Sequence, residues 1–194
     1  IYYACVAFCF FPFSLLLDKL FKAHEIGVAT NDLIWAAYAL NHITALQLYE
    51  GGDLKEGIAN VDQFTHFARK IQYPLSLHHL LTVARANYLI GKQSFKENVF
   101  QTSANETIHL QEMNALVAKD GTALFLTTHS IYQGLVCYHL SDFAKAKEHF
   151  VLAQQSLQTT LGIINELVFD LYYALTLLAI ANTKIAISST EKSI

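Results

Sequence analysis

Arginine is nearly absent from this chain: Arg69 and Arg85 are the only two in 194 residues. A nucleic-acid-binding domain needs a basic stripe, usually with arginine forks. The formal net charge is −3, so nucleic acid is not an expected partner. Proline occurs twice and glycine eight times, too few turn formers for a fold of many short strands. The three cysteines, Cys5, Cys9 and Cys137, are odd in number and lack metal-ligand spacing. They are expected to be buried free thiols in a reducing, cytoplasmic setting.

Charge is also scarce. Asp, Glu, Lys and Arg make up 15% of the chain, against 53% apolar residues, where about 25% charge is usual. Such an under-charged surface suits faces covered by neighbouring domains or partners. The first residue is Ile1, not Met, and the chain is expected to be a piece of a larger protein. The apolar run Ile1–Leu17 ends at Asp18-Lys19 and is broken by Pro12. It falls short of the ~20 residues that span a bilayer, and the expectation is a buried helix, a break near Pro12 and then an amphipathic helix, not a membrane span.

What the chain does have is helical spacing. Leu16, Leu20, Ala23 and Gly27 fall at helical intervals. Thr30-Asn31-Asp32 supplies helix-start chemistry for Leu33–Tyr49, and Gly51-Gly52 ends that helix. Asp53 opens a helix to about Ile71, and Tyr73-Pro74 separates it from Leu75–Ile90. Residues 92–105 are polar and unpatterned, which predicts an irregular connection. Helices are predicted again over Ile108–Ala118, Ala123–Leu140 and from Ser141-Asp142 through Leu161. Leu167–Ala181 is apolar enough to be buried. The expectation is one domain over residues 1–185 with a frayed tail at 186–194.

One segment repeats a recognisable pattern. Gly134 and Cys137, then Phe143, Ala146, Phe150 and Ala153, match the tetratricopeptide spacing. Small residues at Gly134, Ala146 and Ala153 let two helices approach, and Phe143 and Phe150 fill the space around the contact. A weaker copy runs through Ala45, Leu48, Leu54, Gly57, Val61 and Phe64. Gly57 and Ala146 are 89 positions apart, or two units of roughly 45 where the consensus repeat has ~34. The expected fold is all-α, with antiparallel helix pairs stacked as a degenerate TPR-like superhelix. Its packing residues are Ala45, Gly57, Gly134, Phe143, Ala146, Phe150 and Ala153.

Five further segments carry a wider resemblance. They are Pro12 followed by Leu16-Leu17; Ala23-His24-Glu25-Ile26-Gly27; Thr30-Asn31-Asp32-Leu33 running into Ala36-Ala37-Tyr38-Ala39-Leu40; Ser141 to Ala146; and Phe169 to Leu175. Together they resemble the helical region of large bacterial multidomain signalling proteins, which join a kinase-like domain, an AAA/STAND-type ATPase, and often GAF and histidine-kinase modules. That family usually has Gly-Asp where this chain has Asn31-Asp32. The resemblance rests on packing residues and implies context, not chemistry. The chain itself holds no phosphate loop and no kinase motif.

No catalytic constellation can be assembled. The nine histidines read as separate core or surface residues. His78 and His79, adjacent on a helix, point about 100° apart, and His139 and His149 lack a third ligand. Glu50, Asp53 and Glu56 suit capping and the helix dipole, and Cys137 has no base beside it. The ten tyrosines suit helix packing, or the lining of an apolar groove. No catalytic residue, cofactor or metal ligand is therefore assigned. The expected role is a non-catalytic module that contacts proteins or neighbouring domains in a signalling chain, with a small-ligand or peptide sensor as the alternative.

Overall fold

A computed structural model describes residues 11–51, 54–92, 99–101, 107–109, 123–160 and 164–191. The chain is all-α in class. Pro12 precedes helix α1 (Phe13–Ala29), and α2 is Leu33–Glu50. Next come α3 (Leu54–Lys70) and α4 (Pro74–Lys92). After a 30-residue connection, α5 (Ala123–His139) leads to α6 (Phe143–Gln154), a 3₁₀ turn (Leu157–Thr160) and α7 (Ile164–Glu191). The earlier expectations of residues 1–10, Asp53 and most of Ile108–Ala118 lie outside the described residues.

Three links share one hydrogen-bonded geometry. Among the described residues, Asn31, Gln72 and Ser141 are the non-glycine residues with positive φ, at 59°, 54° and 62°. Each follows a helix end at which the next N–H reaches back five residues: Asp32 to Gly27 O, Tyr73 to Ala68 O, and Asp142 to Cys137 O. The left-handed residue itself donates to the carbonyl three back: Val28, Arg69 and Tyr138. This is the Schellman arrangement, which satisfies carbonyls that a helix end leaves open. The next helix then starts with Ala36, Leu77 or Ala146 donating to Asp32, Tyr73 or Asp142. Five, nine and twelve positions beyond the left-handed residue lie Ala36, Leu40 and Ile43; Leu77, Leu81 and Ala84; and Ala146, Phe150 and Ala153. All are buried except the half-buried Leu77.

The structural repeat is thus α1–α2, α3–α4 and α5–α6, each pair closely packed. This corrects the register read from sequence. Ala45 and Gly57 do not belong to one pair: Ala45 is on α2, and Gly57, on α3, packs against Asn87 of α4. The left-handed residues are 41 and then 69 positions apart. The long α4–α5 connection breaks the period and hides it from a fixed-interval search.

That connection holds the other departures from expectation. Val99–Gln101 and Thr107–His109 form a short antiparallel ladder, pairing Val99 with His109, Phe100 with Ile108 and Gln101 with Thr107. Ile108 was expected to begin a helix, but short runs of β-branched and aromatic residues suit strands equally well. The predicted helix through Leu161 also stops early, at Gln154. Threonine hydroxyls bond carbonyls of the turn that follows: Thr159 Oγ donates to Ser156 O at 2.8 Å, and Thr160 Oγ to Leu157 O at 2.8 Å. At the other end of the domain, helix α7 continues to Glu191, well into the tail expected to fray.

The core lies where α4 meets α2, α3 and α5, and α7 packs on α5 and α6. Leu40, Ile43, Leu80, Leu81, Ile131 and Phe150 are among its fully enclosed side chains.

Candidate functional site

Helix α4 is buried nearly all round, and that position decides its chemistry. Leu80, Leu81, Val83, Ala84 and Leu89 are enclosed, but so are Ser76, His78, Thr82, Arg85 and Asn87. A helix surrounded on all sides must bury its polar positions as well as its apolar ones. A cavity of about 50 Å³ lies between α4, α2 and α5, with Asn165 from the start of α7 at its edge. His42, His78 and His79 all line it.

The histidines are held differently. His79 Nε2 lies 3.0 Å from Asn41 O. A carbonyl only accepts, so Nε2 carries the proton. The Asn41 amide oxygen in turn accepts from Ser76 Oγ at 2.6 Å. His78 has no hydrogen-bond partner at either ring nitrogen, although it is fully buried. Its ring stacks 4.5 Å from that of Phe125 and 6.0 Å from that of His129. Burial, with weaker repulsion from nearby cationic groups, pushes His42, His78 and His129 down to about 4 and His79 to about 3. Near neutrality these rings are uncharged.

The polar core continues towards α7. Tyr49 OH donates to Asn165 Oδ1 at 3.0 Å and stacks on Tyr132, their ring centres 6.0 Å apart. Burial raises both phenols well above their ordinary range. Most described tyrosines make ring contacts between helices, as Tyr138 does with Tyr172 at 5.2 Å and Tyr173 with Phe150 at 5.8 Å. Of the described tyrosines, only Tyr38 lines the cavity.

The other residues singled out from sequence fall as follows. A Cβ on Gly134 would stand 2.7 Å from the Phe150 ring, so α5 and α6 meet at that glycine. Ala146 and Ala153 are enclosed beside it, and Phe143 packs its ring 5.7 Å from Tyr138. Ala45 lines the cavity. Cys137 is buried, and burial pushes its thiol up to about 11. Glu50 and Glu56 are exposed. His139 packs on Tyr172, and burial lowers both it and His149. Among the described residues no three His, Cys, Asp or Glu side chains are placed to hold a metal ion.

Sequence reading missed the gathering of His42, His78, His79 and His129, because they come from three helices. The available signal was α4 itself, whose polar residues follow no single stripe.

A second feature is on the surface. Leu167, Leu171 and Leu178 of α7 are 51%, 52% and 59% exposed. This corrects the expectation that Leu167–Ala181 is buried. Only Val168, Phe169 and Thr176 of that stretch are enclosed, because α5 and α6 cover one side of α7. The segment Ile164–Thr183 is long and apolar enough to cross a membrane by length and composition, and 28% of its most apolar window is buried. Ile26, Val28, Ile34 and Trp35 form another exposed apolar group, around the α1–α2 turn.

No protein-family model and no curated protein sequence matches the chain.

Proposed function

We propose that this chain is a non-catalytic helical-repeat module that docks other proteins or neighbouring domains, in the manner of the TPR-like region of a cytoplasmic signalling protein. In this reading the three helix pairs are antiparallel units of a degenerate superhelix, and α7 begins the next unit. The repeated Schellman turn at Asn31, Gln72 and Ser141 supports the stacking.

The observation that carries the docking role is the apolar side of α7. Leu167, Leu171 and Leu178 sit four and seven residues apart, the spacing of one helical face. Repeat arrays are closed by units with polar outer faces, and α7 lacks such a face. A helix laid along this stripe would complete a pair as α6 does for α5.

Leu171→Glu combined with Leu178→Glu tests the reading. The double variant is expected to keep the helical circular dichroism and melting temperature of the parent, because both side chains are already half in water. It is expected to lose cross-linking and co-purification with flanking domains or partner chains. Undiminished association of the double variant, or partitioning of the parent into detergent phase alone, would sink it.

A further inference from the structure

Beyond surface docking, we propose that the cavity between α2, α4 and α5 binds a small carboxylate, which enters together with a proton and is held by a ring nitrogen of His78, with His42 and His79 lining the cavity around it. His78 is fully enclosed, faces the cavity, and leaves both ring nitrogens without a partner. Buried polar groups of native proteins nearly always have partners. Two such nitrogens on one ring that lines a cavity mark a place built for a polar guest.

The chemistry of the walls selects that guest. Among the described residues no Asp or Glu lines the cavity, so no anionic side chain there balances a cation. A metal ion is also disfavoured, since no suitable triplet of ligands exists among the described residues. Protonated histidine is a cation whose N–H donors point apart, so one of them can bond a carboxylate oxygen while the ring charge balances the carboxylate. Around them Ala45, Leu75, Leu124 and Phe125 supply apolar contacts for a short carbon tail. Size limits the tail. About 50 Å³, at roughly 10–15 Å³ for each water-sized occupant, holds about four heavy atoms, the size of acetate.

The proton comes from solvent and goes to a ring nitrogen of His78. Charging the ring alone is opposed by burial, which holds His78 near 4, but the carboxylate supplies the missing counter-charge. The other groups that face the site add no acid. Tyr38 and His42 of α2 and His79 of α4 line it; behind them, His129 of α5 lies against His78, Tyr132 of α5 against His79, and Arg85 of α4 acts on His129. His149 of α6 acts only through His129, and α7 contributes the neutral amide of Asn165.

Acetate, formate and chloride, titrated at matched ionic strength into the full chain between pH 7 and 6, test the proposal by calorimetry and thermal melting. Acetate is expected to bind roughly tenfold more tightly at pH 6 than at pH 7, because one proton enters with it. At about 100 times its Kd it is expected to raise the melting temperature by about 5–10 °C. His78→Phe keeps the ring stacked on Phe125 and removes both nitrogens, and Ala45→Val narrows the cavity without touching a histidine. Both variants are expected to fold and to lose the acetate response. Equal responses to acetate and chloride, an affinity independent of pH, or a full acetate response in folded His78→Phe would each overturn the proposal.

Discussion

Tyr49, near the end of α2, donates its hydroxyl to Asn165 Oδ1 at the start of α7, 3.0 Å away and 116 positions along the chain. Asn165 is 4% exposed, so water cannot readily replace the donor. This bond ties the first helix pair to the last helix across the interior.

Tyr49→Phe is expected to destabilise the fold by about 1–3 kcal/mol, the usual cost of stranding a buried acceptor. Urea unfolding of Tyr49→Phe, Asn165→Leu and the double variant checks it. The two single changes are expected to be strongly non-additive. Simple additivity would show that the two groups act independently.

Acid is expected to unfold the protein early. His42, His78, His79 and His129 titrate near 6.5 when unfolded, but at about 3–4 in the fold. Above pH 6.5 both states are neutral and these groups contribute no pH dependence. As pH falls from 6.5 towards 4, the unfolded chain takes up protons that the folded chain refuses, and stability drops. Two protons alone correspond to about 2.7 kcal/mol per pH unit. That lowers the melting temperature by about 5–10 °C per unit. Scanning calorimetry in a buffer free of small carboxylates reads this directly. A flat melting temperature between pH 6.5 and 5 would contradict the burial of these rings.

Gly134→Ala is expected to cost about 1–3 kcal/mol through overpacking, despite the higher helix propensity of alanine. The added Cβ would meet Phe150 Cε1 at 2.7 Å. In the Phe150→Leu background the same change is expected to be nearly neutral. Melting of the four proteins in the cycle decides whether the ring is the obstacle.

Gln72→Gly is expected to stabilise the fold by up to about 1 kcal/mol, because glutamine pays a steric penalty at φ 54° that glycine does not. Asn31→Gly should gain less, since asparagine tolerates the left-handed region. Chemical denaturation measures the difference. Equal gains at both sites would argue against side-chain strain as the cause.

Most of the helices were legible in the sequence, because their limits are written locally. Pro12, Gly51 and Pro74 mark ends or starts, and Asp142 caps α6 by accepting from Lys145 N at 3.3 Å. The contact of Gly134 with Phe150 was legible for the same reason: two helices joined by a short turn must meet at fixed positions. The repeat at Asn31, Gln72 and Ser141 was obscured, because backbone hydrogen bonds define it and the residue types differ at every copy.

By itself, then, the sequence determined the all-helical class and the closely packed pair around Ser141, since both follow from neighbours along the chain. Tertiary structure decided which apolar residues are inside and which polar ones join them. Composition made Leu167–Ala181 look like core, but the side on which α5 and α6 lie leaves Leu167, Leu171 and Leu178 in water. Spacing made His42, His78 and His129 look unrelated, but α4 is enclosed by other helices and draws them to one place. Both outcomes depend on which helices pack together, and no local pattern along the chain carries that information.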